Sequence, residues 1–147
     1  MSSQSRKSRI VSDKQKLYLI TGVLDVMLLM LLVSSDMSSR DRGWVYGTLF
    51  LHLLFFYGLR KNHRKLLNGL HYFVCILPTL GLFLSSLPLQ AICLLFVILV
   101  QVLWISEKKC ILNEKDDSFG FGNKINYYFL VLTTMLAIQL GYSYAKR

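Results

Sequence analysis

Leu17 to Val33 is a run of seventeen residues that are apolar apart from Thr21, Gly22 and one acid, Asp25, the ninth of the seventeen. A run of this length has the reach of a helix that crosses hydrocarbon. A single carboxylate at its centre reads as an intramembrane ionisable group, which has to be protonated or paired because a lone charge in lipid costs several kcal/mol. Few soluble folds accommodate such a segment, and the rest of the chain repeats its pattern.

Four further apolar runs follow, at about 44–59, 66–84, 88–105 and 125–144, after a first span at about 16–34. Strands with open edges would leave backbone groups unpaired in lipid, so the runs are expected to be helices. The fold expected is all-α: a polytopic membrane protein, a bundle of five transmembrane helices with short loops. It occupies residues 16–147 as one domain, behind a disordered basic tail at 1–15. Pro78 falls inside the third run and is expected to kink it. Pro88 suits the first turn of the fourth helix, where no intrahelical N–H bond is lost.

Composition agrees with a membrane class. The chain is 54% hydrophobic and only 17% charged, with a mean hydropathy of +0.46. A net charge of +9 raises nucleic acid as a partner. The charges, however, lie in short blocks between apolar runs and assemble no basic face, so no nucleic-acid partner is expected. Cys75 and Cys93 lie inside apolar runs, and with Cys110 they match no zinc or disulfide spacing. His71 lies nearer a helix end than His52, and His63 falls in the basic loop, which disfavours haem ligation. Neither a cofactor nor a metal is expected.

Five spans place the basic residues very unevenly. The tail, the Arg60–Lys65 block and the loop carrying Lys108, Lys109, Lys115 and Lys124 share one side and hold thirteen Lys and Arg; Arg40, Arg42, Lys146 and Arg147 leave four on the other. The positive-inside rule then puts the N-terminus inside and the C-terminus outside. Aromatics fall near both boundaries, with Tyr18, Tyr57, Tyr72, Trp104, Tyr127 and Tyr128 at the inner one and Trp44, Tyr46, Tyr142 and Tyr144 at the outer.

That topology sets depths. Asp25 and His52 each lie about eight residues from the inner end of their helices, roughly 12 Å deep. Thr133 and Thr134 of the last span come out near the same level, and Gln101 slightly nearer the inner surface. A functional reading makes Asp25 and His52 a proton relay or ligand site. A structural reading makes them a polar contact that fixes helix register.

Small residues mark two packing faces: Gly43 and Gly47 on the second span, and Thr133, Ala137, Gly141 and Ala145 at every fourth position of the last. Such faces let helices approach closely, within the chain first and against another subunit second. Arg60, Lys61, Arg64 and Lys65 form a candidate site for anionic lipid headgroups on the inner face, at about 1 kcal/mol per charge, although topology alone accounts for the block. Cys110, beside Lys108 and Lys109, is a candidate for palmitoylation or for a reactive thiolate. Ser118 to Asn123 resembles the T-V-G-[YF]-G-D filter of potassium channels over six residues. The polar stretch before it and its place on the inner side fit a glycine turn leading to Asn123 as a helix N-cap better.

The sequence holds no nucleophile–base motif and no phosphate loop. The function expected is that of a non-enzymatic membrane subunit or scaffold acting through helix–helix and lipid contacts, with other membrane subunits or a second copy as partners. The alternatives are a small transporter or proton conductor using Asp25 and His52, and a membrane-embedded lipid-modifying enzyme.

Overall fold

The apolar runs are helical in a computed structural model that describes the backbone of residues 3–107 and 122–146 and the side chains of 15–103 and 127–146. Six helices occur: α1 (Ser3–Ser34), α2 (Ser39–Lys61), α3 (Arg64–His71), α4 (Phe73–Gly81), α5 (Leu87–Glu107) and α6 (Gly122–Ala145). There are no strands among the described residues. Tyr72 keeps helical dihedrals between α3 and α4 (φ −64°, ψ −31°). Its N–H bonds to the Gly69 carbonyl, a single 3₁₀ step, so the two continue as one rod. The described residues thus form five rods.

Two of them, over Gln15–Ser34 (mean hydropathy 2.3) and Tyr127–Ala145 (mean hydropathy 1.2), are long and apolar enough to cross a membrane; the apolar part described for α5, Leu87–Leu103, is shorter. The α3–α4 rod is divided at Tyr72, and α2 dilutes its leucines and phenylalanines with Gly, Tyr, Trp and His.

Several boundaries differ from the sequence-based expectation. The basic segment expected to be a disordered tail is helical from Ser3, continuous with the apolar run. Lys, Arg and Gln are good helix formers and no Gly or Pro precedes Gly22, so nothing local stops the helix. The third run ends as helix at Gly81, short of Leu84. α6 begins at Gly122, so Asn123 is in its first turn rather than at its cap. Cys110 and most of the filter-like segment, Ser118 to Phe121, lie outside the described residues.

The rods alternate in direction. Tyr18 of α1 stacks on Phe56 of α2, with ring centroids 5.5 Å apart and planes 4° from parallel. α2 turns into α3 through Asn62, whose left-handed backbone (φ 54°) is one that Asn tolerates well. The His63 N–H closes the turn on the Gly58 carbonyl at 2.9 Å. The His63 imidazole then caps α3, accepting from the Leu66 N–H at 3.2 Å. One end of the bundle therefore carries the Arg60–Lys65 block. The opposite end carries the α1–α2 and α4–α5 connections.

That opposite end is held by Asp41, which is 1% exposed. Its two carboxylate oxygens accept the backbone N–H groups of Ser85 (3.1 Å) and Ser86 (3.0 Å). These are donors at the start of α5, where a negative charge also meets the positive end of the helix dipole. Arg40 adds a bond to the Ser85 hydroxyl at 2.5 Å. Side chains from α2 thereby cap α5.

The core includes Leu24 and Leu28 from α1, Val45 from α2, Leu89, Ile92, Cys93 and Val97 from α5, and Phe129, Leu132 and Leu136 from α6. The glycines that permit close approach are not those of the GxxxG spacing. A Cβ on Gly81 would meet Cys93 Sγ at 2.7 Å, and one on Gly58 would meet Leu67 Cδ2 at 2.9 Å; at Gly43, Gly47 and Gly141 it would meet nothing within 4 Å.

Two stability predictions follow from these contacts. Asp41→Ala is expected to lower the unfolding free energy of the purified protein by about 1–3 kcal/mol, and Arg40→Ala by only about 0.5 kcal/mol; equal losses in thermal melts would show that the carboxylate is not the latch. Gly81→Ala is expected to cost about 1–3 kcal/mol by overpacking and to be partly relieved by Cys93→Ala, whereas Gly47→Ala and Gly141→Ala leave the melt of the monomer unchanged.

Candidate functional site

Asp25 sits midway along the apolar part of α1, on the side turned to α2. There His52 Nδ1 lies 2.5 Å from Asp25 Oδ1. The two side chains are 17% and 16% exposed, which is enough burial for the contact to be worth more than a surface ion pair. With Asp25 ionised, Nδ1 carries the proton and Nε2 is the remaining polar atom of the ring, an acceptor when the imidazole is neutral. The antiparallel course of α1 and α2, pinned by the Tyr18–Phe56 stack, brings these residues level.

His52 also lines a cavity of about 170 Å³ between the rods, which is neither sealed nor a flat surface patch. All six helices contribute to its wall, which is overwhelmingly aliphatic and aromatic. The polar side chains on it are Thr21, Thr48, His52 and His71, together with the Cys75 and Cys93 thiols and the Trp44 indole. Among these, the Thr48 hydroxyl bonds to the Trp44 carbonyl at 2.8 Å and the Trp44 indole N–H to the Leu77 carbonyl at 3.2 Å. Trp44, expected from sequence in the outer aromatic belt, is thus turned inward. It anchors α2 to the turn of α4 that contains Pro78.

The polar residues expected at one level do not form one layer. Gln101 reaches α6, donating to the Thr133 hydroxyl (2.5 Å) and the Phe129 carbonyl (3.3 Å). Thr133 returns its own bond to the Phe129 carbonyl at 2.7 Å. Thr134 is exposed and bonds to the Leu130 carbonyl of its own helix. No hydrogen bond joins this group to the Asp25–His52 pair among the described residues. Matched depth was legible in the sequence. Which face each residue occupies was not.

The small-residue faces point away from the chain. Gly43, Gly47, Ala137, Gly141 and Ala145 are exposed, because α6 packs through Phe129, Leu132 and Leu136 instead. The expectation that these faces pack within the chain in the first instance is therefore corrected. Bulky leucines and phenylalanine at a three- to four-residue spacing bury more area than the alanine stripe beside them. Arg60, Lys61, Arg64 and Lys65 are exposed together around the α2–α3 turn.

Sequence reasoning missed Asp41 and Gly81. Asp41 follows Ser38 by three residues, the spacing of an ordinary capping box. The Ser38 hydroxyl does accept its N–H at 3.2 Å, but the carboxylate goes to another helix. A second buried polar group, Gln90, donates to the Leu84 carbonyl at 2.7 Å and steadies the same corner.

No known protein family, curated protein or solved structure matches this chain.

A double-mutant cycle tests whether the pair acts as a unit. Asp25→Asn and His52→Ala are each expected to destabilise the protein, and the double variant to lose less than their sum, with a coupling of about 1–3 kcal/mol. Strict additivity would mean that the two side chains do not interact.

Proposed function

We propose that the chain is an integral membrane protein that crosses the bilayer five times, with its N-terminus inside and its C-terminus outside. In this reading it serves as a non-enzymatic subunit that binds partner helices and lipid. Large apolar side chains are exposed along every rod, among them Leu19, Val33, Phe50, Leu80, Val102 and Ile138. A soluble domain rarely shows so much contiguous apolar surface. Only 17% of each of the two longest apolar segments is buried inside the chain, unlike the core helix of a soluble protein. Alternating rods bring the Arg60–Lys65 turn to the same end as the start of the apolar part of α1, as the positive-inside distribution requires.

The observation that carries the subunit reading is the outer face of α6. Ala137, Gly141 and Ala145 are exposed there, with open space over Gly141. In lipid, small residues of this kind allow a second helix to approach closely.

In mild detergent the tagged protein is expected to purify with a stoichiometric partner or a second copy, and Gly141→Leu or Ala137→Leu to dissociate it without changing the melt of the monomer. Recovery of the wild-type protein as a lone monomer would sink the subunit reading. Topology is checked separately: Cys110 is expected to react with an impermeant maleimide only after the inner face is opened.

A second reading, proton transfer or transport, is favoured by the Asp25–His52 contact. It requires proton flux in liposomes that Asp25→Asn abolishes. The subunit reading requires Asp25→Asn to leave the assembly intact.

A further inference from the structure

We propose that the cavity between the rods is a binding site for one long-chain fatty acid, its tail along the helices and its carboxylic acid head hydrogen-bonded to His52 Nε2. The inference rests on the membrane placement proposed above and names a ligand for a site nothing else assigns.

Shape comes first. The cavity wall runs from Leu17 to Leu28 on α1, from Trp44 to Phe55 on α2 and from Ile92 to Leu103 on α5. Each stretch spans eleven residue steps, about 16 Å at 1.5 Å per residue. The cavity is therefore a slot parallel to the helices. Its length is close to half of a ~30 Å hydrocarbon core, the depth that one acyl chain fills. A volume of about 170 Å³ drawn out over that length leaves width for one chain and not two. With walls so largely apolar, water has too few partners to occupy it stably.

Polarity comes second, and it is graded along the slot. The end formed by Leu28, Leu77, Pro78 and Ile92 offers a ligand little beyond the weak Cys93 thiol, since the Trp44 and Thr48 donors are spent on carbonyls. Thr21, His52 and His71 lie toward the other end, which Leu17, Phe55 and Leu103 complete. His52 has its Nδ1 held by Asp25, and Asp25 itself is not part of the wall. The far edge of the ring, with Nε2, is left for the cavity. Nε2 has no partner among the described residues. An acceptor held in this way calls for an O–H donor, which a protonated acid supplies. An acid shares its proton with the imidazole more strongly than an alcohol does, and the exposed Arg60, Lys61 and Lys65 at the same end of the bundle favour the negative charge that then builds on the carboxyl group.

The test is competitive photolabelling of the protein in phosphatidylcholine nanodiscs with a diazirine-bearing sixteen-carbon fatty acid. Labelled residues are mapped by mass spectrometry. Label is expected on the wall residues Val74, Phe96 and Val100, displaced by oleic acid and about tenfold less effectively by methyl oleate, which has no O–H. His52→Ala is expected to raise the oleic acid needed by about tenfold and to leave methyl oleate unchanged. Ile92→Phe narrows the slot at its apolar end, far from the pair, and is expected to shift preference from sixteen-carbon to ten-carbon acids. It keeps the proposal testable where His52→Ala fails to fold. Label confined to outward residues such as Val23, Phe50 and Val131 overturns the proposal, as does equal displacement by acid and ester. A protein that enters nanodiscs and shows either result loses this inference alone; a protein that does not insert loses the membrane placement and this inference with it.

Discussion

Every polar group set among apolar helices has to find a partner, and that requirement organises this molecule. Asp25 has one partner, His52 on the neighbouring rod, at 2.5 Å. The contact holds α1 and α2 in a single register, because a shift of one residue turns the carboxylate about 100° away from the ring. Asp41 obeys the same rule with different chemistry. Its carboxylate is satisfied by two backbone N–H groups, so the end of one helix is defined by a side chain from another. Gln101 and Thr133 repeat the pattern between α5 and α6. Three polar contacts thus specify helix pairings that apolar packing alone would leave degenerate, since one leucine surface is much like another.

The turn around Pro78 shows how a local defect becomes a joint. The proline has no N–H to give to the preceding turn of α4. Carbonyls neighbouring the interrupted bond take side-chain donors instead: Cys75 from the hydroxyls of Thr79 and Tyr128, and Leu77 from the Trp44 indole. α2 and α6 are both tied to α4 at this place, and the Tyr128 hydroxyl also contacts that of Thr79. The same turn lines the apolar end of the cavity. Just beyond it, Gly81 lets α4 and α5 meet closely.

Polar contacts on the inside and small residues on the outside divide the work of the surface. The α6 face with Ala137 and Gly141 contributes nothing to the core, which Phe129, Leu132 and Leu136 fill. In lipid there is no general hydrophobic drive between helices, so a smooth, small-residue face is where another helix gains most from close contact.

The sequence by itself determined that the chain is helical, where its apolar runs lie, and that Asp25 and His52 need partners at matching depth. These properties depend on composition and on distance along a helix, which residue numbers report directly. It also marked Pro78 as a perturbation and Arg60–Lys65 as one end of the molecule. Only the tertiary structure decided which faces meet. The face of a rod is set by its rotation about its own axis, a quantity governed by packing of neighbours distant in sequence. That rotation put His52 against Asp25, sent Asp41 to the start of α5, turned Trp44 inward, separated Gln101 from the Asp25 pair, and left the GxxxG and alanine–glycine faces outside. The cavity belongs to the same class of feature: six helices share its wall, and no single stretch of sequence contains it.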